Sequence, residues 1–357
     1  MFNILDKYIL KRYLGAFALI MCLFIPIMIT VHIAEKIGKI LGKDIAFSEV
    51  MMYLLDFTVY FSNFLFPIFL FISTMFFTSK LANNTEVIAF LSSGVSFNRF
   101  LRPYIIGALL VSATALVFST IFVPKAATGF NEFQYKYFKN DRERQTSNVF
   151  RQISDNDYIY VSNYRSNNKT GYNFTLEHFN GNVLEYKIKA DRIEFQDSLY
   201  SLKNYQKRIV GAYDDVLIKK AKVDTVMNFD IEELTPTSYV AETLSYTDLL
   251  KFIEKEESRG NANMNVYYVE KHKRTSIPIS AMIFTLIAVA VSSVKKRGGM
   301  GVNLAIGLVI AMSYVFLDKV FGTIAEKSTT FPAWVAVWAP NIFFAIVALF
   351  MIRNARR

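Results

Sequence analysis

The sequence predicts an α+β membrane protein: six transmembrane helices with a jelly-roll-like β-domain inserted between the third and the fourth. Three observations carry this. Of 357 residues 53% are hydrophobic, and mean hydropathy is positive at +0.26. The apolar residues fall in six blocks of bilayer length. Between the third and fourth blocks the periodicity changes from continuous apolar runs to short alternating segments bounded by turn residues. This composition excludes a disordered chain.

The spans are expected at about 13–34, 50–79, 100–123, 277–294, 302–324 and 332–352. At about 1.5 Å per residue each crosses a hydrocarbon core of about 30 Å. The second is long enough to tilt or protrude. Arg102-Pro103 stands at the expected start of the third, where proline costs a helix little. The first block lacks a small-residue cleavage site and is followed by five more spans, so it reads as a retained helix. The domains expected are 1–123, with spans one to three and a cytoplasmic helix at 81–98; 124–270, the β-domain with flanking helices; and 271–357, spans four to six.

In the middle block, residues 124–140 read as a helical continuation of span three. Strands are expected at 157–161, 173–177, 184–196, 199–210 and 217–229. Turns are expected at 166–171, 180–182 and 214–215, with Asn180-Gly181 a tight-hairpin signal. Ser245-Tyr246-Thr247-Asp248 has the form of a helix N-terminus. That helix is expected to run to Glu257 and to break at Arg259-Gly260-Asn261. A second helix from about Val266 leads into span four.

Charge divides along the same boundary. Residues 124–270 hold 20 Lys/Arg and 22 Asp/Glu, and the rest holds 20 and 8. The basic excess therefore belongs to the membrane part, which argues against a nucleic-acid partner. With the N-terminus inside, twelve Lys/Arg flank the inner face and eight the outer face. The positive-inside bias thus predicts both termini in the cytoplasm and 124–270 outside.

Catalytic signatures do not occur. There is no Gly-x-x-x-x-Gly-Lys-[Ser/Thr] phosphate loop, no His-Glu-x-x-His and no Gly-x-Ser-x-Gly. One cysteine, Cys22, and three scattered histidines form no metal-ligand pattern. The chain is read as no enzyme and as needing no cofactor.

Two features invite function. In the loop after span two, Asn84 or Thr85 can cap a short helix, Glu86 favours its start and Gly94 its end. Val87, Ile88, Phe90 and Leu91 give it apolar surface, suited to a partner groove or to the lipid interface. The second feature is a set of ionisable groups at the outer end of the spans: Glu35, Lys36, Asp56, Asp318 and Lys319, joined by Lys39, Lys43 and the Lys271–Arg274 run. They fit a collar for an anionic lipid head group, with Phe24, Ile27, Val315 and Phe316 as apolar walls. They also fit simple pairing of Asp56 with Lys36 and Asp318 with Lys319, with the other lysines snorkelling.

These residues carry a resemblance over essentially the whole chain. Six spans with a strand-rich insertion resemble the LptF/LptG permeases of lipopolysaccharide export. Leu5-Asp6-Lys7-Tyr8-Ile9 is similar to the family's opening Leu-Asp-Arg-Tyr-Ile. Thr85-Glu86-Val87 through Ser93-Gly94-Val95 resembles its coupling helix, with Thr85 replacing the usual Ser. Tyr314–Gly322 and the approach 244–267 resemble the LptG branch, and Trp338-Ala339-Pro340-Asn341 suits the last span. The resemblance implies a non-catalytic ABC-transporter subunit in the bacterial inner membrane. It implies a sister permease as heterodimer partner, a cytoplasmic LptB-like ATPase dimer and a periplasmic LptC/LptA-like bridge. The cargo is then lipopolysaccharide, held by Lys36, Lys39, Lys43 and Lys319, and Glu86, Val87, Phe90, Leu91 and Gly94 couple to the ATPase. The alternatives from the residues are another ABC-type lipid or lipoprotein exporter and a non-transport scaffold with a β-sandwich ectodomain. Six spans are more than anchoring needs.

Overall fold

The computed structural model describes residues 4–43, 45–138, 145–165, 168–196, 199–211, 213–227, 229, 240–258, 264–294, 299–328 and 330–355. Part of the expected 166–171 turn, the break at 259–261 and the flanking charges Lys295, Lys296, Arg297, Arg356 and Arg357 lie outside these residues.

Six helices are long and apolar enough to cross a membrane. They are α1 (Ile4–Leu41), α2 (Phe47–Asn83), the third span from α4 (Phe97–Val117) through α5 (Val123–Phe133), α8 (Met264–Ser292), α9 (Gly299–Lys327) and α10 (Ala333–Ala355). Between α2 and α4 lies the short α3 (Glu86–Ser92). Each helix outruns its apolar block, because a helix continues past the hydrocarbon edge wherever its backbone stays paired. Pro103 therefore sits inside α4, not at its start. Ser96 provides the N-cap instead, its Oγ accepting from the Arg99 amide at 3.3 Å. The third span continues to Phe138 through π-helical turns at Phe118–Phe122 and Gln134–Phe138. The first of these widens the helix just before Pro124, which has no amide to donate.

The chain forms two compact units. The membrane unit comprises residues 1–131, 241–249 and 265–357. One part of its core packs Ile9, Tyr13, Leu70, Leu81, Val87, Phe100 and Tyr104, and another packs Phe71, Met75, Phe284, Tyr314 and Phe344. Gly107 has a steric reason: a Cβ there would lie 2.5 Å from the Tyr13 ring and 2.9 Å from Leu10. Beyond Tyr13 no residue of α1 is buried. On α9 the buried residues Asn303, Gly307, Ala311 and Tyr314 follow one stripe, while Leu308, Val309, Met312 and Phe316 are exposed. The outward apolar surface of both helices suits lipid or another transmembrane helix.

The second unit comprises residues 132–240 and 250–264. Its sheet has six antiparallel strands in sequential order: β1 (Gln145–Gln152), β2 (Asp157–Arg165), β3 (Thr170–Asn180), β4 (Val183–Gln196), β5 (Leu199–Ile209) and β6 (Val216–Thr225). The β3–β4 hairpin turns at Gly181-Asn182, with Asn180 paired to Val183 and Gly181 at φ +61°. Glycine at the first central position is the type II′ requirement.

The order is a meander in one sheet, and the sheet carries a crease. Inward-facing residues change parity at one level on four strands: Ile159 and Val161 then Tyr164; Leu176 and Phe174 then Gly171; Ala190 then Ile193; Tyr205 then Leu202. These changes lie on one register row, because Asn163 pairs with Tyr172, Tyr172 with Arg192 and Arg192 with Lys203. Asn173 and Asn204 absorb the offset at φ +51° and +55°. Asn173 donates to Ser162 Oγ at 3.0 Å and Asn204 to Asp191 Oδ2 at 2.6 Å. Residues on both sides of the row join one core with Val149 and Phe229. Replacing Asn204 with valine is expected to cost about 2 kcal/mol, combining left-handed strain with a lost hydrogen bond. Glycine at 204 should cost clearly less. Thermal unfolding of the purified protein tests this ranking.

Candidate functional site

At the α3 end, geometry separates the predicted coupling residues into supports and surface. Val87 is 2% exposed and belongs to the membrane-unit core, so it anchors α3 within its own chain. Glu86 accepts a hydrogen bond from Tyr8 Oη on α1 at 2.9 Å, and a second, from Asn84, at 3.4 Å. Phe90 is half-buried against the same core. Leu91 is exposed, as is Ile88, which sequence reasoning did not include among the contact residues. Helical phase explains the split, since residues 87 and 90 share a face, and 88 and 91 the next.

Thr85 precedes α3 but does not cap it. Its backbone is left-handed at φ +63°, and its hydroxyl turns back to Asn84 O at 2.6 Å. The other end is as expected: Gly94 takes φ +85°, its amide donates to Leu91 O, and the Val95 amide donates to Phe90 O. This is a Schellman motif, which needs glycine at that position. Gly94→Val is expected to destabilise this end by about 1–2 kcal/mol, visible as increased amide exchange at Val95. Next to α3, Arg99 holds Asp6 through two parallel hydrogen bonds of 2.6 and 2.7 Å, and Asp6 is buried. The family-like opening segment therefore locks α1 to α4 beside α3.

At the other end of the spans the predicted collar divides. Lys36 pairs with Glu35 at 2.6 Å rather than taking up the expected simple pairing. Lys36 and Lys39 stand in the last turns of α1 and Lys43 in the turn that follows it, the latter two exposed. Lys319 lies elsewhere, 4.7 Å over the Phe64 ring. It lines a cavity of about 380 Å³ with Asp318, Glu242, Glu270, Lys273 and Arg274, which Lys36, Lys39 and Lys43 do not line. Among the described residues Asp318 and Lys319 form no ion pair with each other. Phe24 packs on Phe69 at 5.0 Å and Val315 is half-buried, whereas Ile27 and Phe316 face outward.

That cavity contains residues the sequence reading ran together or passed over. Read in sequence, Lys271–Arg274 is one basic flank. On α8, however, Glu270, Lys273, Arg274 and Ile277 form the face that lines the cavity. The short α6 (Val240–Thr243) brings in Glu242, which accepts from Tyr60 Oη at 2.6 Å. Burial, and then the charge of Glu270, push the Glu242 carboxyl above the usual carboxylate range. After it, α7 (Tyr246–Ser258) starts as expected, with the Asp248 amide donating to Ser245 Oγ at 3.3 Å.

With this architecture in place, comparison with known sequence families is decisive. The family model for the lipopolysaccharide export system permease LptF/LptG matches residues 7–354. The chain belongs to the LptF/LptG family. The family model takes LptF and LptG together without distinguishing them, and the match covers the six spans and the inserted sheet. No curated protein matches the sequence. Membership makes this a multi-pass lipopolysaccharide export permease.

Proposed function

We propose that the chain is one permease half of an ABC transporter that takes lipopolysaccharide from the outer leaflet of the inner membrane and passes it to a periplasmic bridge. The observation that carries this is the family match over nearly the whole chain. The lack of a phosphate-loop motif in the sequence supports ATP hydrolysis by a separate LptB-like dimer, docked against Ile88 and Leu91 of α3 with Phe90 beneath. A sister permease stands opposite the outward faces of α1 and α9, and the cargo enters between the two subunits. Lys36, Lys39 and Lys43 meet the phosphates of lipid A, and Ile27 and Phe316 its acyl chains. The creased β-unit hands the cargo to an LptC/LptA-like partner. Co-purification from native membranes tests this reading: an ATPase, a second permease and lipopolysaccharide should come with the chain. Recovery of a lipoprotein-exporting partner set instead would support the other exporter class.

Orientation is part of the same proposal: both termini and α3 in the cytoplasm, the β-unit in the periplasm. In a background with Cys22 replaced by serine, a cysteine at the exposed Asn180 should react with an impermeant maleimide from outside. One at Asn84 should react only after permeabilisation. The opposite labelling pattern would invert the topology.

A further inference from the structure

The cavity around Arg274 holds charged groups whose pairing is incomplete among the described residues. Arg274 is 2% exposed. Its Nε donates to Glu270 at 3.1 Å and its Nη2 to Ala241 O at 2.7 Å, but Nη1 has no partner among the described residues. A buried guanidinium nitrogen without an acceptor is costly, and such groups mark a place where a further acceptor binds. Lys319 and Asp318 line the same cavity, and among the described residues neither forms an ion pair. Lys273, by contrast, is answered by Glu326 at 3.3 Å. Beside the unpartnered Arg274 Nη1 there are thus two groups of opposite sign without an ion pair: the Lys319 ammonium, which lies over the Phe64 ring, and the Asp318 carboxylate.

An apolar groove adjoins this cavity. It measures about 400 Å³ and lies between α1, α2 and the third span, lined by residues such as Met21, Phe66 and Thr114. Asn63 lines both spaces, and Phe118 of the groove is followed directly by Ser119 of the cavity. The two together have the form of an amphiphile: an apolar trough leading to a polar chamber that carries both charges. All of it lies within the membrane unit of one chain.

We infer that this composite site holds a glycerophospholipid with a phosphoethanolamine head, as a resident lipid distinct from the cargo. The phosphate meets Arg274 Nη1 and Lys319, the primary ammonium meets Asp318, and one acyl chain lies in the groove. A purely anionic head brings Asp318 no cationic N–H donor, and neither does a quaternary ammonium. The site goes beyond the export reading, because it needs neither a sister subunit nor an ATPase.

Native mass spectrometry of the full-length protein, extracted in mild detergent and exchanged against defined lipids, tests the inference. The expected result is about one phosphatidylethanolamine retained per chain, in preference to phosphatidylglycerol and phosphatidylcholine. Arg274→Gln should lower retention at least about tenfold, the effect of losing one charge-assisted hydrogen bond. Because Arg274 also braces Ala241 and Glu270, Thr114→Trp provides a second arm. Thr114 is exposed in the groove, so the tryptophan should block the chain while the melting temperature stays unchanged. Equal or better retention of phosphatidylglycerol or phosphatidylcholine would overturn the head-group assignment. Full retention in Thr114→Trp would overturn the groove, and absence of any retained lipid would overturn the site. Displacement by lipopolysaccharide would overturn the claim that this lipid is distinct from the cargo. None of these readouts uses ATP hydrolysis, so they succeed or fail independently of the export reading.

Discussion

Ile88→Asp combined with Leu91→Asp is expected to strip the ATPase from the purified protein while leaving membrane insertion and melting temperature unchanged. Both side chains are exposed on α3, so a charge there costs the isolated permease little. An apolar anchor at an interface hot spot is worth about 2 kcal/mol or more, which is roughly 30-fold in affinity for each residue. Val87→Ala should behave in the opposite way. Val87 is buried in its own chain, so its truncation should lower stability by about 1–2 kcal/mol and weaken the ATPase only indirectly. Pull-down yield set beside thermal unfolding separates the two. If the double aspartate variant keeps its ATPase, α3 rests on lipid instead.

The second large effect is expected at the end of α1. Changing Lys36, Lys39 and Lys43 together to glutamate should abolish lipopolysaccharide-stimulated ATP hydrolysis by the reconstituted complex. Each lysine near an anionic lipid surface is worth about 1 kcal/mol, so single changes should be mild and the triple reversal severe. Lys36 should matter least of the three, because Glu35 already neutralises it at 2.6 Å. High salt should reproduce part of the effect for the exposed Lys39 and Lys43. Unchanged stimulation in the triple variant would reduce these residues to snorkelling lysines.

The membrane architecture was legible because bilayer thickness imposes a length on apolar segments, and all six spans follow it. Their ends were legible only in part: α8 begins at Met264, close to the helix start expected at about Val266, whereas α2 runs on unforeseen through polar Lys80 to Asn83. Strand β1 escaped the reading because Gln145-Thr146-Ser147-Asn148 carries no alternation, and Val149 is its buried apolar residue. The crease was invisible for a different reason. Asparagine tolerates left-handed backbone, but only the register shows that Asn173 and Asn204 belong to one row. At the sites, sequence found α3 and its glycine stop, yet assigned Val87 to the partner rather than to the core. It also joined Lys319 to the α1 lysines, although α9 places it with Arg274. Helical phase at positions 270, 273, 274 and 277 was the signal that could have separated them.

The central claim is that lipopolysaccharide enters against the outward faces of this subunit at its periplasmic end. A photoreactive residue at Lys39 or Ile27, activated in living cells, measures that directly. The account predicts adducts of lipopolysaccharide at both positions that vanish when lipopolysaccharide synthesis is blocked, and none at Leu349, an exposed position on α10. Equal labelling at all three positions, or adducts that persist without lipopolysaccharide synthesis, would contradict it.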